Sequence, residues 1–422
     1  MSVIAPPLTL DATSLGAADA LTCRECGTRT PLDASYACIE CFGPLEVDYG
    51  PAVVTREQIE SGPQSMWRYE ALLPVEPGAA ARPGLNPGWT PLVRADNLAR
   101  ALGARRVWVK DDSGNPTHSF KDRVVAVALE NARRLGFRVI ACASTGNLAN
   151  AVAAAGARAG MTSVVFLPSD LEAGKIVTSA VYGGTLVAIE GTYDDVNRLC
   201  TEVAAQREWG FVNVNLRPYY AEGSKTVGFE IAEQLGWRLP DAIVSPVASG
   251  SLLTKVDKAF GEFTRLGLVD EHRVQVFGAQ ATGCSPVAQA FRAGHGIVRP
   301  VKPDTIAKSL AIGSPADGPY ALDVVRRTNG AIADVTDAEI IEGIRLLAGT
   351  EGIFAETAGG VVVATYRKLL AEGLVDPDAE VVLLNTGDGL KTLDAVVPTC
   401  QPTITVSPAY ADFERAFEEV RP

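Results

Sequence analysis

Val107-Trp108-Val109-Lys110, then Asp111-Asp112-Ser113-Gly114-Asn115-Pro116-Thr117-His118-Ser119-Phe120, then Lys121-Asp122-Arg123-Val124-Val125-Ala126-Val127-Ala128-Leu129 is the stretch that decides the class of fold. It opens on an apolar run of strand length and passes through turn-forming residues (Ser113, Gly114, Asn115, Pro116). It ends in an Ala/Val-rich run of helical length. Lys121 stands where that helix begins. The ordinary reading of such a lysine is a solvated charge. Two features set this one apart. Only 10 of the 38 basic residues are lysine, so arginine carries the general solubility of the chain. The loop before it is also built for tight turning instead of plain helix entry. A partly desolvated amine at a helix start is driven toward its neutral form, which Schiff-base chemistry requires.

Outward from this unit the alternation repeats. Strands are expected at 107–110, 138–143, 162–168, 185–190, 242–247, 274–280 and 381–385, several as continuous Val/Ile/Leu runs that suit burial on both faces. Amphipathic helices are expected at 122–135, 147–159, 194–206 and 222–236. This spacing implies parallel sheets with right-handed crossovers, so the class is α/β. Ligands gather in such sheets at the carboxyl ends of strands. Four of those ends carry small, polar loops: the Lys121 loop, Ser144-Thr145-Gly146-Asn147, Ala248-Ser249-Gly250-Ser251 and Thr386-Gly387-Asp388-Gly389. One composite site is expected where they meet.

Gly88-Trp89-Thr90-Pro91-Leu92, Asn115 through Arg123, and Ala143-Ser144-Thr145-Gly146-Asn147 resemble the signature of the tryptophan-synthase-β-like pyridoxal-phosphate (PLP) enzymes, fold type II. The resemblance covers nearly all of 85–395. Glu222-Gly223-Ser224-Lys225-Thr226 and Thr350-Glu351-Gly352-Ile353-Phe354 extend it toward the threonine synthases. It implies a catalytic region over 51–422 made of two doubly wound parallel-sheet subdomains, the smaller at about 125–222 inserted in the larger. It also implies roles. Lys121 carries PLP as a Schiff base and moves the substrate protons. Asn147 lies against the ring and bonds its 3-oxygen. Ser144, Thr145 and Gly146 grip the substrate carboxylate, using hydroxyls and helix-terminal N–H groups. Ala248, Ser249, Gly250 and Ser251 form the cup for the cofactor phosphate. Thr386 bonds the pyridine nitrogen, a neutral partner that moderates the electron sink. The familiar threonine-synthase version has Gly at His118, Thr at Leu148, His at Asp388, and a Ser/Ala-rich segment after its Glu-Pro where this chain reads Glu356-Thr357-Ala358-Gly359-Gly360. Leu148 and Asp388 fall on the substrate side.

The implied reaction converts O-phospho-L-homoserine and water to L-threonine and phosphate. Such a site needs cations for a phosphorylated amino acid, and Lys175, Arg217 and Lys225 are the candidates. Two alternatives keep the cofactor: β-replacement on O-phosphoserine (cysteate-synthase-like or a sulfhydrylase), and Ser/Thr deamination. A third, of another class, is an idle PLP-binding protein that docks a partner. Hydrolase and nucleotide-binding readings lack their motifs: no Gly-x-Ser-x-Gly elbow and no Walker-type loop occurs, and His272 and His295 sit away from the four strand ends.

Residues 1–20 read as a flexible tail and 21–50 as a separate module. Cys23-x-x-Cys26 and Cys38-x-x-Cys41 are two knuckles able to place four thiolates around one ion. Structural zinc leads, with iron or disulfide closure as alternatives. The segment is too small for its own core, so a metal would supply its stability. A zinc ribbon ahead of the PLP region also resembles the longer archaeal and bacterial threonine-synthase-like proteins. It is expected to be structural or to dock a partner, with no part in catalysis. The scattered Cys142, Cys200, Cys284 and Cys400 read as small hydrophobes or surface thiols. The net charge of −12 argues against nucleic acid as a partner. No apolar run is long enough to span a bilayer, and no leader peptide is visible. A cytoplasmic homodimer is the expectation.

Overall fold

The computed structural model describes residues 18–420 apart from 52, 79–81, 145, 170, 172 and 192. Thr145 and positions 1–17 of the expected tail therefore lie outside the described residues.

The first strands are β1 (Ala18–Cys23), β2 (Arg29–Thr30) and β3 (Leu45–Tyr49), an antiparallel sheet in the order β2-β1-β3. Residues 18–20 are thus in a strand and not in a tail. Next come β4 (Leu92–Arg94) and β5 (Arg106–Asp111), then β6 (Val139–Ala143), β7 (Thr162–Pro168), β8 (Thr185–Ile189) and β9 (Gly210–Phe211). The last four are β10 (Ala242–Pro246), β11 (Gln275–Ala281), β12 (Ile332–Val335) and β13 (Glu380–Asn385). Strands β6–β9 form one parallel sheet in the order β8-β7-β6-β9. The others form a six-stranded sheet, β12-β11-β10-β13-β5-β4, parallel except for the edge strand β4.

Apolar runs without alternation produce this architecture because each face of each sheet meets helices. In β13, Val381 and Leu383 join a core with Val109, Val244 and Phe277, while Val382 and Leu384 join the opposite one with Ile243 and Val276. The smaller sheet divides likewise, Ile140 and Cys142 to one side, Ala141 and Ala143 to the other. The helix expected over 222–236 is two helices, Arg217–Glu222 and Lys225–Gln234. Gly223 between them lies so close to helix Lys121–Arg134 that a Cβ there would come within 2.5 Å of the Arg123 carbonyl oxygen.

The N-terminal sheet is not a module apart. Leu21, Leu45 and Val47 share a core with Met66, Trp67, Val127 and Tyr219, so the segment that lacks a core borrows one. Polar contacts seal the join: the Tyr219 hydroxyl donates to the Asp33 carbonyl at 2.7 Å and the Tyr49 hydroxyl to Glu222 at 2.5 Å. Among the described residues no helix is long and apolar enough to cross a membrane.

Candidate active site

The loop after β5 is held by a buried set of charges. Arg123 bonds Asp112 through Nε at 2.7 Å and Glu230 through a terminal nitrogen at 2.5 Å, and Lys110 bonds Glu230 at 2.6 Å. Two cations and two carboxylates balance, which is what permits burial. Glu230 also accepts from the Trp89 N–H at 2.7 Å, and Thr90 donates to Asp112 at 2.6 Å. Asp122 accepts from the Thr117 N–H and hydroxyl, both at 2.7 Å. In Lys-Asp-Arg, then, the acid and the guanidinium brace the turn and leave Lys121 to face the cavity.

That cavity, of about 640 Å³, opens between the two parallel sheets. All four strand-end loops line it, as expected, with Lys121, Asn147, Ser249 and Thr386 each on its wall. The Lys121 amine donates to the Tyr220 hydroxyl at 2.9 Å and lies 4.6 Å from the Phe120 ring centre. Burial pushes its pKa down to about 8, with the Glu356 carboxylate opposing.

Asn147 opens helix Asn147–Ala159 and donates to both Glu356 carboxylate oxygens, at 3.1 and 2.9 Å. The Thr386 hydroxyl donates to the same carboxylate at 3.4 Å. Glycine makes this approach feasible: a Cβ on Gly387 would stand 2.6 Å from the Glu356 carboxyl. Burial raises the Glu356 pKa, against the Asn147 bond and the charges of Lys391 and Lys175. Ser144 caps the helix, its Oγ accepting from the Gly146 and Ala149 N–H groups at 3.1 and 2.9 Å. Across the cavity, Gly250 takes φ 97°, a conformation open to glycine, immediately before helix Ser251–Arg265. Ala248, Gly250 and Ser251 line the wall there.

Of the three candidate cations, the cavity receives two. Arg217 and Lys175 line it, with Arg217 bonded to Asp317 at 2.8 Å. Lys225 does not. It is fully buried and bonds the Leu72 carbonyl at 2.9 Å, Glu262 at 2.9 Å and Glu222 at 2.8 Å. The motif at 222–226 is therefore structural at its lysine and reaches the cavity wall through Ser224, as does Tyr220, two positions before the motif. His118 has φ 62°, which favours glycine and accounts for the glycine of the familiar version.

At the N-terminal sheet, the sulfurs of Cys23, Cys26, Cys38 and Cys41 all lie within 4.8 Å of one another, and none is in a disulfide. The Glu25 and Glu40 N–H groups each donate to the first sulfur of their own knuckle, Cys23 and Cys38, at 3.4 Å.

Residues 84–387 match the family described as pyridoxal-phosphate dependent enzyme. The chain is 37% identical over 390 residues to the threonine synthase of Methanocaldococcus jannaschii, covering 91% of this chain and 96% of that one. It is 38% identical over 390 residues to the threonine synthase of Methanosarcina acetivorans, covering 91% and 95%. This chain belongs to the pyridoxal-phosphate-dependent enzymes, on their threonine-synthase branch. The diaminopropionate ammonia lyase of Escherichia coli shares the fold, with a TM-score of 0.63 at 18% identity over 81% of this chain and 91% of that one.

The residues present fit the family's cofactor. A partly desolvated amine faces a cavity large enough for PLP, a glycine-bearing helix start offers N–H groups to a phosphate, and Asn147 and Thr386 lie on the same wall. Thr386 has one O–H, given in this structure to Glu356, so a ring nitrogen would have to take it over. Glu356 is the residue that sequence reasoning quoted without giving it a role. Its signal is the glutamate that the familiar version also carries, just ahead of the departure at 357–360.

Proposed function

We propose that the protein is a threonine synthase, forming L-threonine and phosphate from O-phospho-L-homoserine and water. The observation that carries this is the juxtaposition, in one cavity, of the Lys121 amine with the Arg217 and Lys175 cations. When bound, PLP supplies the electron sink that lets protons leave carbon beside the substrate amine. The chain's residues do the rest. With a pKa near 8, Lys121 is neutral in a useful fraction of molecules at neutral pH and takes the Cα proton. Once that proton has been passed on to water and the amine is neutral again, it takes one proton from Cβ. The Cγ–O bond breaks with its electron pair on phosphate, held by Arg217 and Lys175. Water adds as hydroxyl at Cβ, one proton each returns to Cγ and Cα, and the third leaves on the released phosphate. The start of helix Asn147–Ala159 faces the substrate carboxylate, where helix N–H groups favour negative charge. The Ser144 oxygen already accepts two N–H groups, which leaves its O–H to donate. Tyr220 orients Lys121 through the 2.9 Å bond.

We propose zinc for the four-cysteine cluster, since four thiols at this spacing suit a tetrahedral ion near 2.3 Å from each sulfur. About one zinc per chain is expected by elemental analysis, lost in a Cys23→Ser/Cys26→Ser variant that still binds PLP. The reaction is tested by offering O-phosphohomoserine, O-phosphoserine, L-serine and L-threonine and following phosphate, ammonia and threonine. Threonine and phosphate from O-phosphohomoserine are expected, with little turnover of the others. Turnover of O-phosphoserine with a sulfur nucleophile, and none of O-phosphohomoserine, would replace this reading with β-replacement.

A further inference from the structure

We propose that Arg24, inside the first cysteine knuckle, positions Arg217 through Asp317, so that the N-terminal sheet helps set the grip on the substrate's anionic group. The inference rests on the reading of Arg217 as a phosphate contact. It departs from the expectation that the cysteine module takes no part in catalysis.

Asp317 is buried, and its carboxylate is shared. One oxygen accepts from Arg217 at 2.8 Å, and the other faces Arg24 at 3.7 Å. Arg24 is itself fixed in place. Its guanidinium lies 3.5 Å from the centre of the Tyr320 ring, its backbone N–H donates to the Pro44 carbonyl at 3.0 Å, and the Tyr320 hydroxyl bonds the neighbouring Glu25. Arg24 also reaches Glu46 at 3.7 Å, a carboxylate already bonded by Lys255 and Lys258. The knuckle is thus clamped onto the first helical turn of Gly318–Arg327 and its N-cap Asp317. That turn in turn braces the expected phosphate cup: the Asp317 N–H donates to the Ser249 carbonyl at 2.8 Å, and a Cβ on Gly250 would stand 2.7 Å from the Asp317 carbonyl oxygen. Tyr36, between the two knuckles, lines the same cavity.

Charge explains what Arg24 adds. Arg217 with Asp317 alone is a neutral pair and a poor anion site. With Arg24 on the second oxygen, the triad carries one net positive charge, and Asp317 is held away from competing for all of the Arg217 donors. A free arginine side chain also spreads over many rotamers, and this pairing selects one. Arg24 and Asp317 are positioning residues: Arg24 is not on the cavity wall, and Asp317, which lines it beside Arg217, is an anion that acts on a bound anion through Arg217.

The test is a double-mutant cycle on the PLP-loaded protein, using Arg24→Ala, Arg217→Ala, their combination, and Arg24→Lys. Arg24→Ala should raise KM for O-phosphohomoserine, and Ki for inorganic phosphate, by about tenfold, the scale of one weakened charge-assisted contact, with kcat within twofold. Metal and PLP per chain should stay at wild-type values, and Arg24→Lys should recover part of the loss. The double variant should be no worse than Arg217→Ala alone. If Arg217→Ala raises KM while Arg24→Ala leaves it unchanged, or if the two effects multiply independently, the inference is overturned and the phosphate role of Arg217 stands. If Arg217→Ala leaves KM unchanged, the phosphate role itself fails and takes the inference with it.

Discussion

Lys121 and Lys225 occupy the same kind of place in the sequence and opposite kinds of place in the molecule. Each is the first residue of a helix, Lys121–Arg134 and Lys225–Gln234. Lys225 is enclosed by Glu222, Glu262 and a carbonyl, and it lies 3.9 Å from the centre of the Tyr49 ring. In that network burial works to raise the Glu222 carboxyl, but Lys225, Lys255 and Lys258 hold it well below the usual range. Lys121 bonds a hydroxyl instead of a carboxylate and keeps an open side toward the cavity. Carboxylate partners fix a buried lysine as a cation. Removing them, and leaving apolar walls, makes the amine available for chemistry.

The largest effect that would break this contrast is on Lys121. Lys121→Ala should lower threonine formation by about a thousandfold or more, the scale of a lost acid–base group, and should abolish PLP that borohydride fixes to the protein. Peptide mapping after reduction checks this. Fixation at Lys175, the other lysine on that wall near the Ser144–Asn147 loop, would show that the assignment of Lys121 is wrong. Next in size is Lys225→Met, which leaves two carboxylates buried beside an apolar side chain. It should cost about 3–5 kcal/mol of folding free energy, read by denaturant titration, while KM for the substrate moves less than twofold. A raised KM at unchanged stability would return Lys225 to the site.

The same pair shows what a sequence can and cannot carry. Continuous Val/Ile/Leu runs made β5, β6, β7, β10 and β13 legible, and with them the four loops, because burial on both faces needs such runs. Strands β4, β9 and β12 have three, two and four residues, too short to show a period. The cysteine spacing was plain, yet the docking of that sheet was not, since Leu21 and Val47 find partners more than fifteen residues away in sequence. Lys225 was misplaced because its partner Glu262 is 37 positions on. Glu356 was passed over for a like reason: its bonds to Asn147 and Thr386 span 209 and 30 positions. Periodicity reports which face is buried, and it is silent on who sits opposite.

The smallest effect sharpens the contrast most. Burial puts the Lys121 pKa at about 8, below the 10.5 of an unhindered lysine, and Glu356 is the charge that opposes the shift. Between those two values the unfolded chain binds the proton that the folded chain has released. The Lys121 contribution to the stability of PLP-free protein therefore rises with pH over about 8 to 10.5 and is flat below. The neutral amine, the form that attacks a carbonyl, falls about tenfold per pH unit below the folded pKa. The rate at which added PLP becomes fixable by borohydride should follow that fraction, climbing to a plateau above about pH 8. Glu356→Gln keeps an oxygen for Asn147 to donate to and removes the charge that favours the ammonium. Its midpoint should move to lower pH, and fixation at pH 7 should be faster than in the parent chain. An unmoved midpoint would mean that Glu356 is already protonated beside Lys121, and that the apolar walls and Tyr220 alone set the reactivity of the amine.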